Sequence, residues 1–305
     1  MSATTSPFAK ENVQSKRQIV SRGFWSASFL RFRRDPPSVA ALLGFIVVAI
    51  LAYGSPFTAT YILHTDPTSQ DILNNLTPWF TAGHLLGTDE LGRDVLTRVL
   101  YAGQISLGFG FAVAFFQLSI GVTLGLIAGY HGGRVDDIIN FILQIIRGVP
   151  TFFLLVTLAG LFRPGPIGLA FVFGVLGWTG ICRQVRGLVF SVKQRDYVDA
   201  ARVIGVPVPW ILARHILPNV SSIILVLLPF DIGGAIIGEA GLSFLGFGIQ
   251  PPTASWGNML SGALENITRA PWLIVAPGIF IWFTVLCIFL LADGLRDAFD
   301  PRLTE

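Results

Sequence analysis

Very few side chains in this sequence are placed to do chemistry. It holds no H-E-x-x-H zinc motif, no G-x-S-x-G nucleophile turn and no G-x-x-x-x-G-K-[ST] loop to cradle the phosphates of ATP. The four histidines (His64, His84, His131, His215) are scattered. Cys182 and Cys287 lie in or beside apolar runs, where they read as small packing residues rather than as a disulfide or metal cluster. Two charges stand out instead. Arg147 and Asp231 fall inside long apolar stretches, where a charge costs about 3 kcal/mol or more unless it is paired or wetted. Charge in such a place suits the passage of a polar solute, so both are expected to line a translocation path or to pair across it.

A second constellation is mechanical. In "RDYVDAARVIGVPVPWILARHILPNV", residues 195–220, a helix is expected from Asp196 to Ile204, with Tyr197, Ala200, Ala201 and Ile204 on one face. Gly205 fits the left-handed position that ends a helix, and Pro207 and Pro209 stop its continuation. A second short helix, 210–217, would then lead to Pro218. The result is an elbow whose first helix centres two alanines on its apolar side, where something can pack closely.

The elements that must carry these groups follow from composition. Of 305 residues, 52% are hydrophobic and 13% charged, about half the charged fraction of an ordinary soluble domain. Apolar runs at 39–56, 105–130, 138–162, 166–181, 216–238 and 273–292 approach or exceed the ~20 residues that cross a bilayer. They are too long and too evenly apolar for barrel strands, so an all-α integral membrane protein with six transmembrane helices is expected. Arg147 would then lie ~16 Å beyond Asp136, and Asp231 ~22 Å beyond Ile216, at ~1.5 Å per residue.

Most of the 21 Lys and Arg residues fall on one side of such a topology. The N-terminal arm holds Lys10, Lys16, Arg17, Arg22, Arg31, Arg33 and Arg34, and the elbow region holds Arg183, Arg186, Lys193, Arg195, Arg202 and Arg214. This asymmetry puts both termini and the elbow in the cytoplasm. It also accounts for the net charge of +3, and no basic stripe is interleaved with stacking aromatics, so nucleic-acid binding is not implied. About 37 residues precede the first run, too many for a short signal-peptide n-region, so that span is expected to be retained. The division is an arm at 1–37 with an amphipathic "SASFLRFRRDPP" segment on the inner lipid face, a six-helix transmembrane domain at 38–296 containing the cytoplasmic loop 195–218, and a tail at 297–305.

Within the second span Gly121, Gly125 and Gly129 recur at steps of four, a seam for close helix packing. Outside the membrane, "GTDELGRDVLTRVLYAG" reads as a separate amphipathic helix with an Asp94–Arg98 pair. A Gly- and Pro-rich region after the fifth span carries Trp256 and Trp272, expected as interfacial anchors. The two regions together would form an outer mouth. Pro150 and Pro229 are expected to be able to kink their spans.

The elbow resembles the signature loop of permease subunits of binding-protein-dependent ABC importers. The family pattern is Glu-Ala-Ala, three residues, Gly, nine residues, Ile, one residue, Leu-Pro. Here Asp199-Ala200-Ala201, Gly205 and Leu217-Pro218 keep the full spacing, with Asp199 in place of Glu and His215 in place of Ile. The stretches "GTDELGRDVL", "RHILPN", "GLSFLGFGIQPP", "SWGNML" and "DGLRDAFDPR" resemble the second permease of the dipeptide, oligopeptide and nickel group, over about residues 84–302. Arg147 departs from that pattern.

The resemblance implies that Asp199, Ala200, Ala201, Gly205, Leu217 and Pro218 form a coupling helix seated in a separate ATPase subunit. It implies a second homologous permease, two ATPase subunits that bind the ATP and Mg²⁺, and an extracytoplasmic solute-binding protein, all at a bacterial inner membrane. This chain would be half the pore and no enzyme itself, carrying di- or oligopeptides, with Arg147 and Asp231 meeting peptide termini or Arg147 meeting the partner permease. Nickel and glutathione importers use similar permeases. An ion-coupled secondary transporter is the rival class; it would call for further acids at the midplane or repeated halves, neither of which the sequence displays.

Overall fold

The computed structural model describes residues 24–81 and 83–299. The first 23 residues of the expected arm and residues 300–305 of the tail lie outside them. The described residues are mostly helical, and among them the only strand-like pairings are two isolated bridges, Thr81–His84 and Thr88–Asp94.

In chain order, α1 (Phe24–Arg34) ends on Arg31, Arg33 and Arg34. Asp35 then caps α2 (Pro36–Tyr53), accepting the Ser38 amide at 3.2 Å, with prolines in the first turn. A single turn α3 (Ser55–Phe57) and a π turn, Thr58–Leu63, lead into an irregular stretch that ends at Asp94. Helix α4 (Val95–His131) follows, then α5 (Gly133–Gly148), α6 (Thr151–Phe162), α7 (Pro166–Gly177), α8 (Thr179–Val192), α9 (Asp196–Val203), α10 (Val208–Ile211), α11 (Leu217–Phe244), α12 (Trp256–Ala263) and α13 (Trp272–Phe299).

Four stretches are long and apolar enough to cross a membrane: α2, α4, the run Val208–Phe244 and α13. Two bent pairs, α5–α6 at 77° and α7–α8 at 45°, bring the number to six if each is one span. This is the expected all-α membrane architecture, with four corrections to its parts.

The third span is broken, not straight. Pro150 caps α6 after an extended Val149, because a proline lacks the N–H the helix needs and clashes with the preceding turn. Pro229, in contrast, is carried inside an unbroken α11. The fourth apolar run does not end the helix at 181: α8 continues to Val192, so Arg183 and Arg186 belong to a helix rather than to a loop. The short helix expected at 210–217 is not separate either. It joins the fifth span through a π turn, Leu212–Ile216.

The fourth correction concerns the outer helix. Residues from Val95 onward are simply the first turns of α4, capped by the Asp94 carboxylate on the Thr97 amide at 2.7 Å. Asp94 is engaged by His84 Nδ1 at 2.8 Å, while Arg98 turns to Asp89 at 3.4 Å, so the expected Asp94–Arg98 pair does not form.

The glycine seam is present and its partner is α8. A Cβ at Gly121 would lie 2.8 Å from Ile181 Cβ, at Gly125 2.8 Å from the Cys182 carbonyl, and at Gly129 2.6 Å from Val189 Cβ. Apolar burial gives no drive to associate inside lipid, so contact made possible by small residues has to hold these helices. Cys182 and Cys287 are both free and buried, as packing residues. Replacing Gly125 by Leu should therefore cost on the order of 1–3 kcal/mol or more through overpacking. Gly234→Ala, whose new methyl meets nothing within 4 Å, should leave the melting temperature of the detergent-purified chain unchanged while Gly125→Leu lowers it or abolishes monodisperse material.

Candidate functional site

The elbow forms as a helix with a tight C-terminal turn. Gly205 has φ +82°, its N–H donates to the Arg202 carbonyl at 3.0 Å, and the Val206 N–H donates to the Ala201 carbonyl at 3.0 Å. These two bonds close a Schellman motif and satisfy carbonyls at the end of α9. A side chain at Gly205 would meet open space, so strain there comes from the backbone angle alone.

Helix α9 is fixed to the rest of the chain on one side only. Val198 and Ala201 are buried, in a cluster with Val185, Val189, Ile211 and Ile216. Arg202 lies over the Tyr130 ring at 4.9 Å and pairs with Asp199 at 3.0 Å. Lys193, just before α9, donates to the Gly129 carbonyl at 2.7 Å, and so satisfies a terminal carbonyl of α4. Burial, with the Arg202 charge beside it, pulls the Lys193 pKa below its ordinary value.

The expected apolar face of Tyr197, Ala200, Ala201 and Ile204 is split by this packing. Ala201 turns inward with Val198, because only a two-residue strip of so short a helix fits over Ile211 and Ile216. Tyr197 and Ala200 stay exposed, together with Val203 at 87%, Ile204 at 78% and Trp210 at 59% exposure. Leu217 packs at the edge of the same cluster, and Pro218 sits exposed in the first turn of α11. The elbow thus presents a bare apolar stripe on a rigid mount.

Arg147 stands at the end of α5, exposed, just before the break at Pro150. It lines an open cleft of about 540 Å³ between α5 and α8, with Asn140, Gln144, Arg183 and Arg186 among the other walls. Arg186 is held by both carboxylate oxygens of Asp136, with Nη2 to Oδ2 at 2.6 Å. Asp231 lies elsewhere, on α11, with a buried Oδ2 that has no hydrogen-bond partner. Among the described residues, neither Arg147 nor Asp231 forms an ion pair.

A feature absent from the sequence reading lies at the opposite end of the bundle. Glu239, wholly buried, is inside α11 and not in the following loop. Its Oε1 accepts the hydroxyls of Ser243 at 2.5 Å and Ser255 at 2.7 Å. Each serine also accepts an amide, from Ile249 at 3.0 Å and from Asn258 at 3.1 Å. The expected interfacial anchors are buried there too. Trp256 donates to the Val99 carbonyl at 2.9 Å and Trp272 to the Thr88 carbonyl at 3.0 Å, so both lock the mouth from within. Buried acids and indoles are legible as polar residues in apolar surroundings, but the carbonyls that bind the two indoles come from more than 150 positions away.

Residues 121–305 match the family of binding-protein-dependent transport system inner membrane components. The chain belongs to that family, and with it to the multi-pass proteins of the inner membrane. Three relatives align along most of their length. It is 37% identical to the oligopeptide transport system permease protein OppC of Haemophilus influenzae, over 93% of this chain and 91% of the relative. It is 34% identical to the OppC of Escherichia coli strain K12, over 96% of each. It is 36% identical to the dipeptide transport system permease protein DppC of Bacillus subtilis, over 93% of this chain and 87% of the relative.

The Glu239 network makes its own prediction. Ser255→Ala removes both a bond to the buried carboxylate and the cap of α12, and should cost about 1–3 kcal/mol, read as a lowered melting temperature, whereas Ser191→Ala on the exposed side of α8 should not move it.

Proposed function

We propose that this chain is the transmembrane permease subunit of an ATP-driven importer, forming half of the pore for di- or oligopeptides delivered by an external solute-binding protein. The observation that carries the reading is the elbow: an exposed apolar stripe on a short helix locked by Gly205 and tied to the ends of α4, α8 and α11. Such a knob fits a groove on another protein, and closure of that groove can swing the helices behind it.

In this reading Asp199, Ala200, Gly205 and Pro218 lie on the docking element for a cytoplasmic ATPase subunit, which binds the ATP and Mg²⁺, while Ala201 and Leu217 pack behind it and hold it in place. Both termini lie in the cytoplasm with the elbow. The complete importer contains a second homologous permease and two ATPase subunits. Six spans make a poor conduit for a peptide alone, which supports the paired arrangement. Arg147 and Asp231 line the path of the solute. The names of the aligned relatives favour peptides over nickel or glutathione, and dependence on a binding protein favours this class over an ion-coupled transporter.

Gentle-detergent affinity purification from the native membrane should bring down ATPase subunits with hydrolytic activity. In the same assay Gly205→Val, which strains a left-handed residue by ~1–2 kcal/mol, should keep the chain folded and uncouple hydrolysis from transport. Recovery of the wild-type chain alone, or normal transport by Gly205→Val, contradicts the reading. Arg147→Gln and Asp231→Asn should each lower uptake severalfold in reconstituted vesicles; unchanged uptake in both removes these residues from the path.

A further inference from the structure

The cleft between α5 and α8 has a composition that the docking elbow does not explain. Helix α5 presents Asn140, Gln144 and Arg147 at steps of four and three, which is one helix face. The neighbouring positions Phe141, Ile142 and Ile145 are exposed and apolar, as a lipid- or protein-facing surface requires. Helix α8 sets Arg183 and Arg186 against the polar face, and all five polar residues line the same cavity.

The charges in this cleft do not balance within the chain. Arg186 is neutralised by Asp136. Among the described residues, neither Arg147 nor Arg183 has a carboxylate within ion-pair distance. Depth then matters. The glycine seam keeps α8 alongside α4, and Lys193 marks the end of that pair by capping α4. Arg183 lies about ten residues back along α8, ~15 Å from that end. Guanidinium groups within such apolar helix pairs call for a water-filled cavity or a counter-charge.

From this geometry we infer that the α5–α8 cleft is a carboxylate-binding site on the transport path, with Arg147 and Arg183 as its cationic walls and the C-terminal carboxylate of a peptide in transit as its ligand. This inference rests on the importer reading above. Guanidinium groups match a carboxylate with paired, charge-assisted hydrogen bonds. The amides of Gln144 and Asn140, about one and two turns nearer the elbow end, suit the peptide groups that precede the carboxylate. A lipid phosphate bears the same kind of charge, and the labelling experiment distinguishes it from a peptide carboxylate.

The test uses Gln144→Cys in the full chain, purified with whatever subunits accompany it and placed in phosphatidylcholine nanodiscs. The native cysteines are buried, so the new thiol dominates labelling. Two methanethiosulfonates are compared, the anionic 2-sulfonatoethyl and the cationic 2-trimethylammonioethyl reagents, each normalised to its rate with a small free thiol. The anionic reagent should react about tenfold faster or more, as focusing by a like-signed cleft allows. That preference should vanish in the added double variant Arg147→Gln/Arg183→Gln and survive in Arg147→Lys/Arg183→Lys. A tripeptide with a free C-terminus should slow the anionic labelling, and its C-terminal amide should not. A thiol silent to both reagents, a rate ratio near one, or protection by phosphatidylglycerol in place of the peptide overturns the proposal. The rate ratio is read whether or not ATPase subunits copurify, so loss of the importer reading is seen separately, as a cleft that prefers anions in a chain without those subunits.

Discussion

Three glycines on one face of α4 set the distance at which α8 can lie, and most of what is functional in this chain depends on that distance. Gly121, Gly125 and Gly129 leave no room for even a methyl group against Ile181, the Cys182 carbonyl and Val189. Close approach is the interaction lipid cannot supply, since lipid tails compete for every purely apolar contact. Once α8 is seated, its far end delivers Lys193 to the open carbonyls of α4 and places α9 beneath Tyr130. Its middle delivers Arg183 and Arg186 to the cleft facing α5.

One helix therefore links the proposed carboxylate site to the proposed docking knob. α8 carries Arg183 and is capped by Lys193, and the next helix is α9. On its other side α9 rests on Ile211 and Ile216, which lead without interruption into α11, the helix of Asp231. Force applied to the exposed stripe is delivered to α8 and α11 together, because Val198 and Ala201 are packed between their ends. The opposite end is built for stiffness. There Ser255 ties α12 to Glu239 of α11, Trp256 ties α12 to the start of α4, and Trp272 ties α13 to the Thr88 carbonyl.

The six apolar runs and the elbow were legible in the sequence because their causes are local. A run of apolar residues needs no partner to declare itself, and Gly205 followed by two prolines permits little except a helix end. The errors share a different cause. Arg183, Gln184 and Arg186 read as a loop in sequence, whereas α8 carries them within a helix to Val192, with Asp136, fifty positions away, paired to Arg186. Trp256 and Trp272 suited an interface until the backbone carbonyls that bind them were visible. Ala201 was placed with Ala200 on the docking face, but their 100° separation on a helix is enough for Ile211 and Ile216 to take one and leave the other. Glu239 fell outside the fifth span by a single residue, and with it the buried carboxylate network.

The central claim is that the bare stripe of α9 is a contact surface for an ATPase subunit. A photo-cross-linking amino acid placed at Ile204 tests it directly in native membranes, with the same group at buried Ile211 as the internal comparison. The account predicts an adduct between this chain and a nucleotide-binding subunit from position 204, changed in yield by ATP, and none from position 211. Adducts at position 204 with lipid alone, or the same yield from both positions, would contradict it.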